Sequence, residues 1–118
     1  MNKRKYLIAC YDEEDRIHEL KEVYLLLVSY FPTRGFKLSK DKFEIENELM
    51  IFQFMTPNQM NYLGANRRFC DVVGTKKFND FSSFDSKFAY RYFKTRVRKV
   101  GSDELLKKIY KARWKSNR

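Results

Sequence analysis

Residues 42–55, KFEIENELMIFQFM, alternate polar and apolar side chains over 42–46 and again over 52–54. Phe43 and Ile45 alternate with Glu44, Glu46 and Glu48; Met50, Phe52 and Phe54 then alternate with Ile51, Gln53 and Met55. Successive side chains of a strand point to opposite faces, so this alternation reads as two antiparallel strands reversing near Asn47-Glu48. A lone hairpin is marginal in water, because nothing covers its apolar face. The remainder of the chain must therefore supply further strands and at least one covering helix.

Residues 5–10, KYLIAC, read as a short buried strand that stops at acidic turn residues. A helix over 12–30 follows. Asp12 can cap it, Glu13, Glu14 and Asp15 complement its N-terminal dipole, and Ile17, Leu20, Val23, Tyr24 and Leu27 recur at helical spacing until Pro32. His18 falls one position off that stripe and reads as a helix-surface residue. Residues 33–39 read as a turn into the hairpin, 56–68 as a loop, 69–74 (FCDVVG) as another buried strand, and 76–84 as irregular but aromatic-rich. Two helices close the chain. The first starts at Ser83 or Asp85, carries the stripe Ala89, Phe93, Val97 and Val100, and ends at Gly101; the second is capped by Ser102 and turns Leu105, Leu106, Ile109, Tyr110 and Trp114 inward. The expected fold is an α+β or α/β domain: a small mixed sheet built from 5–10, the 42–55 hairpin and 69–73, an N-terminal helix packed on it, and a basic C-terminal helical pair. A span of 118 residues, 43% hydrophobic and 17% aromatic, supports one packed core, so 1–118 is a single domain with a neutral α/β part (1–75) and a basic helical part (76–118).

Catalytic and metal chemistry find little footing. Cys10 and Cys70 lie in separate apolar runs without CxxC spacing, and His18 is the lone histidine, so both cysteines read as reduced thiols, and neither a metal site nor an activated Cys-His pair is expected. G-x-S-x-G is absent. Glu44 and Glu46 project from one strand face as a pair that could hold Mg²⁺ for a nuclease, but no Asp or His is placed to complete such a site, and a solvated strand face accounts for them equally. The apolar run at 7–10 is too short for a signal peptide or a membrane span, which points to the cytoplasm. No enzyme activity and no cofactor are expected.

Taken in order, the strand KYLIAC, its helix, the hairpin, a loop containing Leu63-Gly64 and the strand in LGANRRFCDVV resemble the middle of the nucleotide-binding core of phage terminase large subunits, over residues 1–75. The resemblance implies a phage-like protein with a sheet-based core. It also implies a phosphate cradle and an acidic pair holding Mg²⁺, and both are missing. The glycines are Gly35, Gly64, Gly74 and Gly101, none of which opens G-x-x-x-x-G-K-[ST], and Gly74-Thr75 stands where the acidic pair belongs. ATP hydrolysis is therefore not expected, and Asp71 reads as a partner for Arg67 or Arg68.

Charge is distributed unevenly. Residues 1–75 hold 11 Lys and Arg against 11 Asp and Glu, whereas 76–118 hold 14 against 4, so the whole net charge of +10 lies in the last 43 residues. On the first C-terminal helix Lys87, Arg91, Lys94 and Arg98 recur about one turn apart; on the second, Lys107, Lys108, Lys111 and Lys115 do the same, with Arg113, Arg118 and Trp114 at its end. Such cations can neutralise successive phosphates, and Tyr90, Tyr92 and Trp114 can stack on exposed bases. Arg67 and Arg68 join this cationic set. The expectation is a non-catalytic, phage-like protein that binds DNA, RNA or a nucleoprotein complex, with no membrane partner. The alternatives are an anti-defence inhibitor, such as an anti-CRISPR, docking on a host nucleoprotein enzyme, and a metal-dependent nuclease using Glu44 and Glu46.

Overall fold

The chain, in a computed structural model that describes residues 3–62, 69–95 and 104–116, runs β1 (Arg4–Ala9), α1 (Glu13–Tyr30), β2 (Lys37–Ser39), β3 (Glu44–Glu46), β4 (Met50–Met55), α2 (Pro57–Tyr62), β5 (Asp71–Gly74), α3 (Lys76–Phe81), α4 (Phe84–Lys94) and α5 (Glu104–Ser116). The five strands form one mixed sheet in the order β2-β3-β4-β1-β5. β1 is central and parallel to both neighbours, with Tyr6 opposite Phe52 on one side and Asp71 on the other; β2, β3 and β4 form an antiparallel meander in which Ile45 sits opposite Phe52. The expected pairing between the Cys10 and Cys70 strands is thus present, as are the 42–55 hairpin and the helix packed on the sheet.

Strand β1 is apolar on both faces because both are covered. Tyr6, Ile8 and Cys10 point to a core shared with Leu20, Val23 and Leu27 of α1 and with Leu106, Ile109 and Tyr110 of α5. Leu7 and Ala9 point the other way, to Met60 of α2, Val72, Phe78 of α3 and Phe93 of α4. The two C-terminal helices therefore lie on opposite sides of the sheet.

Local chemistry explains where α1 begins and ends. The Asp15 N–H donates to the Asp12 side chain at 2.8 Å, three acidic residues occupy the first turn, and the Phe31 N–H closes on the Leu27 carbonyl just before Pro32. The buried stripe differs from the expected one at its start: Ile17 is 43% exposed, while Asp15, Arg16 and Glu19 are buried. This first turn lies over strand ends, where polar groups find partners. Arg16 Nε donates to the Phe54 carbonyl at 2.8 Å, and its guanidinium lies 3.7 Å from the centre of the Phe43 ring.

Three segments read as turn, loop or irregular are regular. Residues 37–39 form β2, an edge strand whose Leu38 pairs with Ile45 after the turn at Gly35, where φ is +68°. Residues 57–62 form α2, with Pro57 in its first turn and the Gln59 side chain accepting from the Thr56 N–H at 2.9 Å, half of a capping box. Residues 76–81 form α3, capped by Thr75, whose Oγ1 accepts from the Phe78 N–H at 3.1 Å. α4 ends at Lys94, where the Thr95 N–H closes on the Arg91 carbonyl at 2.9 Å, short of the expected end at Gly101; Val97, Val100, Gly101 and Ser102 lie outside the described residues.

Candidate nucleic-acid interface

The chain leaves β1 towards one face of the sheet and leaves β4 and β5 towards the other, and such a reversal opens a crevice beyond the carboxyl ends of parallel strands. A cavity of about 710 Å³ is found there, lined by residues that include Glu14, Asp15, His18, Thr75, Lys76 and Lys77. Several of its polar groups are committed to the fold. Buried Asp15 accepts from the Thr75 hydroxyl at 2.6 Å and from the Tyr11 N–H at 2.8 Å, tying the end of β5 to the start of α1. Gly74 serves packing: a Cβ there would meet Asn79 Oδ1 at 2.5 Å and the Phe78 ring at 3.0 Å, so the glycine lets α3 close onto the strand. The lining mixes both signs, Lys21, Lys76 and Lys77 against Glu14, Asp15 and Asp80. Asp71 Oδ1 accepts from the Val72 N–H at 2.8 Å; Arg67 and Arg68, its expected partners, lie outside the described residues.

Arg113 departs from the expected cationic set. It is buried, and its guanidinium donates to both oxygens of Glu19, at 2.7 and 3.2 Å, with Glu22 at 3.8 Å. Burial works against its charge, but the hydrogen bond and attraction of Glu19, then Glu22, outweigh that and raise its pKa above the ordinary value. It fastens α5 to α1.

The other described cations behave differently. Arg91 and Lys94 of α4 and Lys107, Lys108 and Lys111 of α5 are exposed, and Lys87 is half-buried. Lys94 Nζ lies 5.4 Å from the Tyr90 ring centre and Lys108 Nζ 5.0 Å from that of Tyr30, both within cation–π range. Among the described residues, none of these six cations is in an ion pair. Arg98 and Arg118, and the side chains of Trp114 and Lys115, lie outside the described residues.

Among the aromatic residues of α4, Phe93 is buried and Tyr92 exposed as expected, whereas Tyr90, expected to be free to stack on bases, is partly covered. Tyr90 is half-buried against Phe78, with ring centres 5.2 Å apart, while Phe93 is buried edge-on to Phe69. The arc of α4 farthest from the core holds Phe84, 78% exposed, and Phe88, 65% exposed, with Tyr92 continuing the line at 37%. The cations Arg91, Lys87 and Lys94 run beside this line, between it and the core side. Sequence reasoning missed Phe84 and Phe88; the legible signal is their spacing of four with Tyr92, on a line offset from Ala89 and Phe93.

The hairpin carboxylates are engaged elsewhere. Glu44 accepts from Gln53 Nε2 at 2.8 Å and Glu46 pairs with Lys3 at 2.7 Å. Among the described residues no group of three or more His, Cys, Asp or Glu side chains is arranged to hold a metal ion, and no helix is long and apolar enough to cross a membrane. Compared with protein-family models, curated proteins and solved structures, the chain matches none.

Proposed function

We propose that this protein is a non-catalytic binder of nucleic acid, free or within a nucleoprotein complex, acting in the cytoplasm through the cations of α4 and α5. The observation that carries this reading is the exposed set Arg91, Lys94, Lys107, Lys108 and Lys111, which form no ion pairs among the described residues, although ordinary surfaces intersperse both signs. A polyanion gains affinity from such a set by releasing its counterions, with no sequence code required. The resemblance of residues 1–75 to phage terminase cores supports an accessory role in phage replication, packaging or transcription. The crevice at the strand ends lacks a glycine-rich cradle and spends Thr75 and Asp15 on each other, which supports the absence of nucleotide turnover.

The test is charge reversal. Changing Lys87, Arg91 and Lys94 to glutamate is expected to weaken binding to DNA or RNA strongly in an anisotropy titration, whereas reversing Lys5, Lys40 and Lys42 in the balanced half is expected to change it little. Equal losses from the two triple variants overturn the reading. A second reading, an inhibitor docking on a host nucleoprotein enzyme, is favoured by the exposed aromatics of α4, since aromatic and Arg side chains dominate protein interfaces. It predicts tight binding to the complex and negligible binding to bare nucleic acid.

A further inference from the structure

We infer that the ligand of α4 is a single strand, whose bases stack on Phe84 and Phe88 while its phosphates follow Arg91, Lys87 and Lys94. This rests on the reading of α4 as a nucleic-acid interface and adds to it the class of nucleic acid.

The order of side chains around α4 carries the inference. At 3.6 residues per turn, Phe84, Phe88 and Tyr92 fall within an arc of about 80°, and Arg91, Lys87 and Lys94 occupy roughly the next 60° on one side. Asp85 stands on the opposite flank, so phosphates are attracted to one side of the aromatic line and repelled from the other. A backbone rail beside a line of stacking faces is the arrangement with which sequence-tolerant single-strand binders work.

Spacing selects the strand state. Residues four apart on a helix are separated by about 6 Å along its axis, well beyond the 3.4 Å between stacked bases of a duplex strand. The rings therefore match bases that have been pulled apart. A duplex hides its base faces, so two phenylalanines exposed at 78% and 65% have nothing to stack on there. Beside Phe88 lies a hollow of about 350 Å³ lined also by Asn61, Asp85 and Tyr92, whose polar groups can meet the edge of a base resting on the ring.

The experiment compares fluorescein-labelled oligothymidylate and oligouridylate of roughly 16 nucleotides with a duplex of the same length, at fixed salt. The wild-type protein is expected to bind the single strands at least about tenfold more tightly than the duplex, and the Phe84→Ala, Phe88→Ala pair to lose roughly ten- to a hundredfold on single strands while duplex binding and the circular-dichroism melt stay unchanged. Phe88→Trp should retain affinity, and its fluorescence should be quenched on binding single strands. Duplex binding equal to or tighter than single-strand binding overturns this inference and leaves the proposed function standing; failure to bind either probe overturns both. Sedimentation showing a dimer that the Phe88→Ala change dissociates would assign the rings to a second copy of the chain, and also overturns the inference.

Discussion

Arg113 and Glu19 bury a charge pair, and its energetics set a sharp expectation. Removing one partner strands the other in a medium that solvates it poorly, which costs about 3–5 kcal/mol, whereas replacing both with apolar side chains is often close to neutral. Arg113→Met is accordingly expected to lower unfolding free energy by about that amount in a urea titration, and Arg113→Met with Glu19→Leu to recover most of it. Nothing near Arg113 in the sequence reveals this role, since its partner lies 94 residues away and it sits among lysines that are exposed. The Glu46 carboxylate offers a gentler test. The hydrogen bond from Lys3 holds its pKa below the ordinary carboxylate value, so the pair stabilises the fold above that value, and the contribution disappears as pH falls through the lowered one. In an NMR titration Lys3→Met is expected to return Glu46 towards the ordinary range. Burial, with Asp15 and Glu19 nearby, pushes the Cys10 thiol well above its usual pKa, and alkylation of Cys10 should proceed only as fast as the protein opens.

Among the elements, those within a long periodic or continuous apolar run were legible, including β3 and β5 with only 3 and 4 residues, and short elements outside such a run were not. α1 runs for 18 residues and β4 for 6 alternating ones, and both follow from spacing alone. α2 and α3 have 6 residues each and β2 has 3, fewer than two turns or two full alternations, so no period can emerge. Caps were the remaining signal: Thr56 with Gln59, and Thr75. Of the candidate interface, the exposed cations of α4 and α5 are legible because charge needs no period, but the outward placement of Phe84 and Phe88 is not, because Phe84 closes a segment with no clear period and a phenylalanine can equally fill a core. Thr75 gives the test at this scale, since it caps α3 and also donates to Asp15. Thr75→Val loses the cap, worth about 0.5–2 kcal/mol, and leaves the buried carboxylate short of a donor, a further 1–3 kcal/mol or so. The denaturation midpoint should fall without a change in slope, and Thr75→Ser should restore most of it.

At the scale of the whole molecule, the sheet divides the basic half of the sequence between two faces, α4 on one and α5 on the other. Charge reversals on the two helices should therefore act on binding nearly independently, adding within about 0.5 kcal/mol, as distant sites do. If α4 alone engages a single strand through three or four phosphates, the slope of log K against log salt should be roughly −2 to −3, and reversing Lys107, Lys108 and Lys111 should shift it little. The central position of β1 has a consequence for the order in which the protein is made. Within this span β1 precedes both of its sheet neighbours and meets them only when Met50 and Asp71 have been synthesised, since Arg4 pairs with Met50 and Tyr6 with Asp71, and its core face, covered first by α1, is completed only by α5. Contacts so distant in sequence make for slow, late closure of the fold. An apolar strand left unpaired at both edges until then is where nascent-chain chaperones should bind, and changes that lower the hydrophobicity of β1 should reduce aggregation during synthesis even as they weaken the finished core.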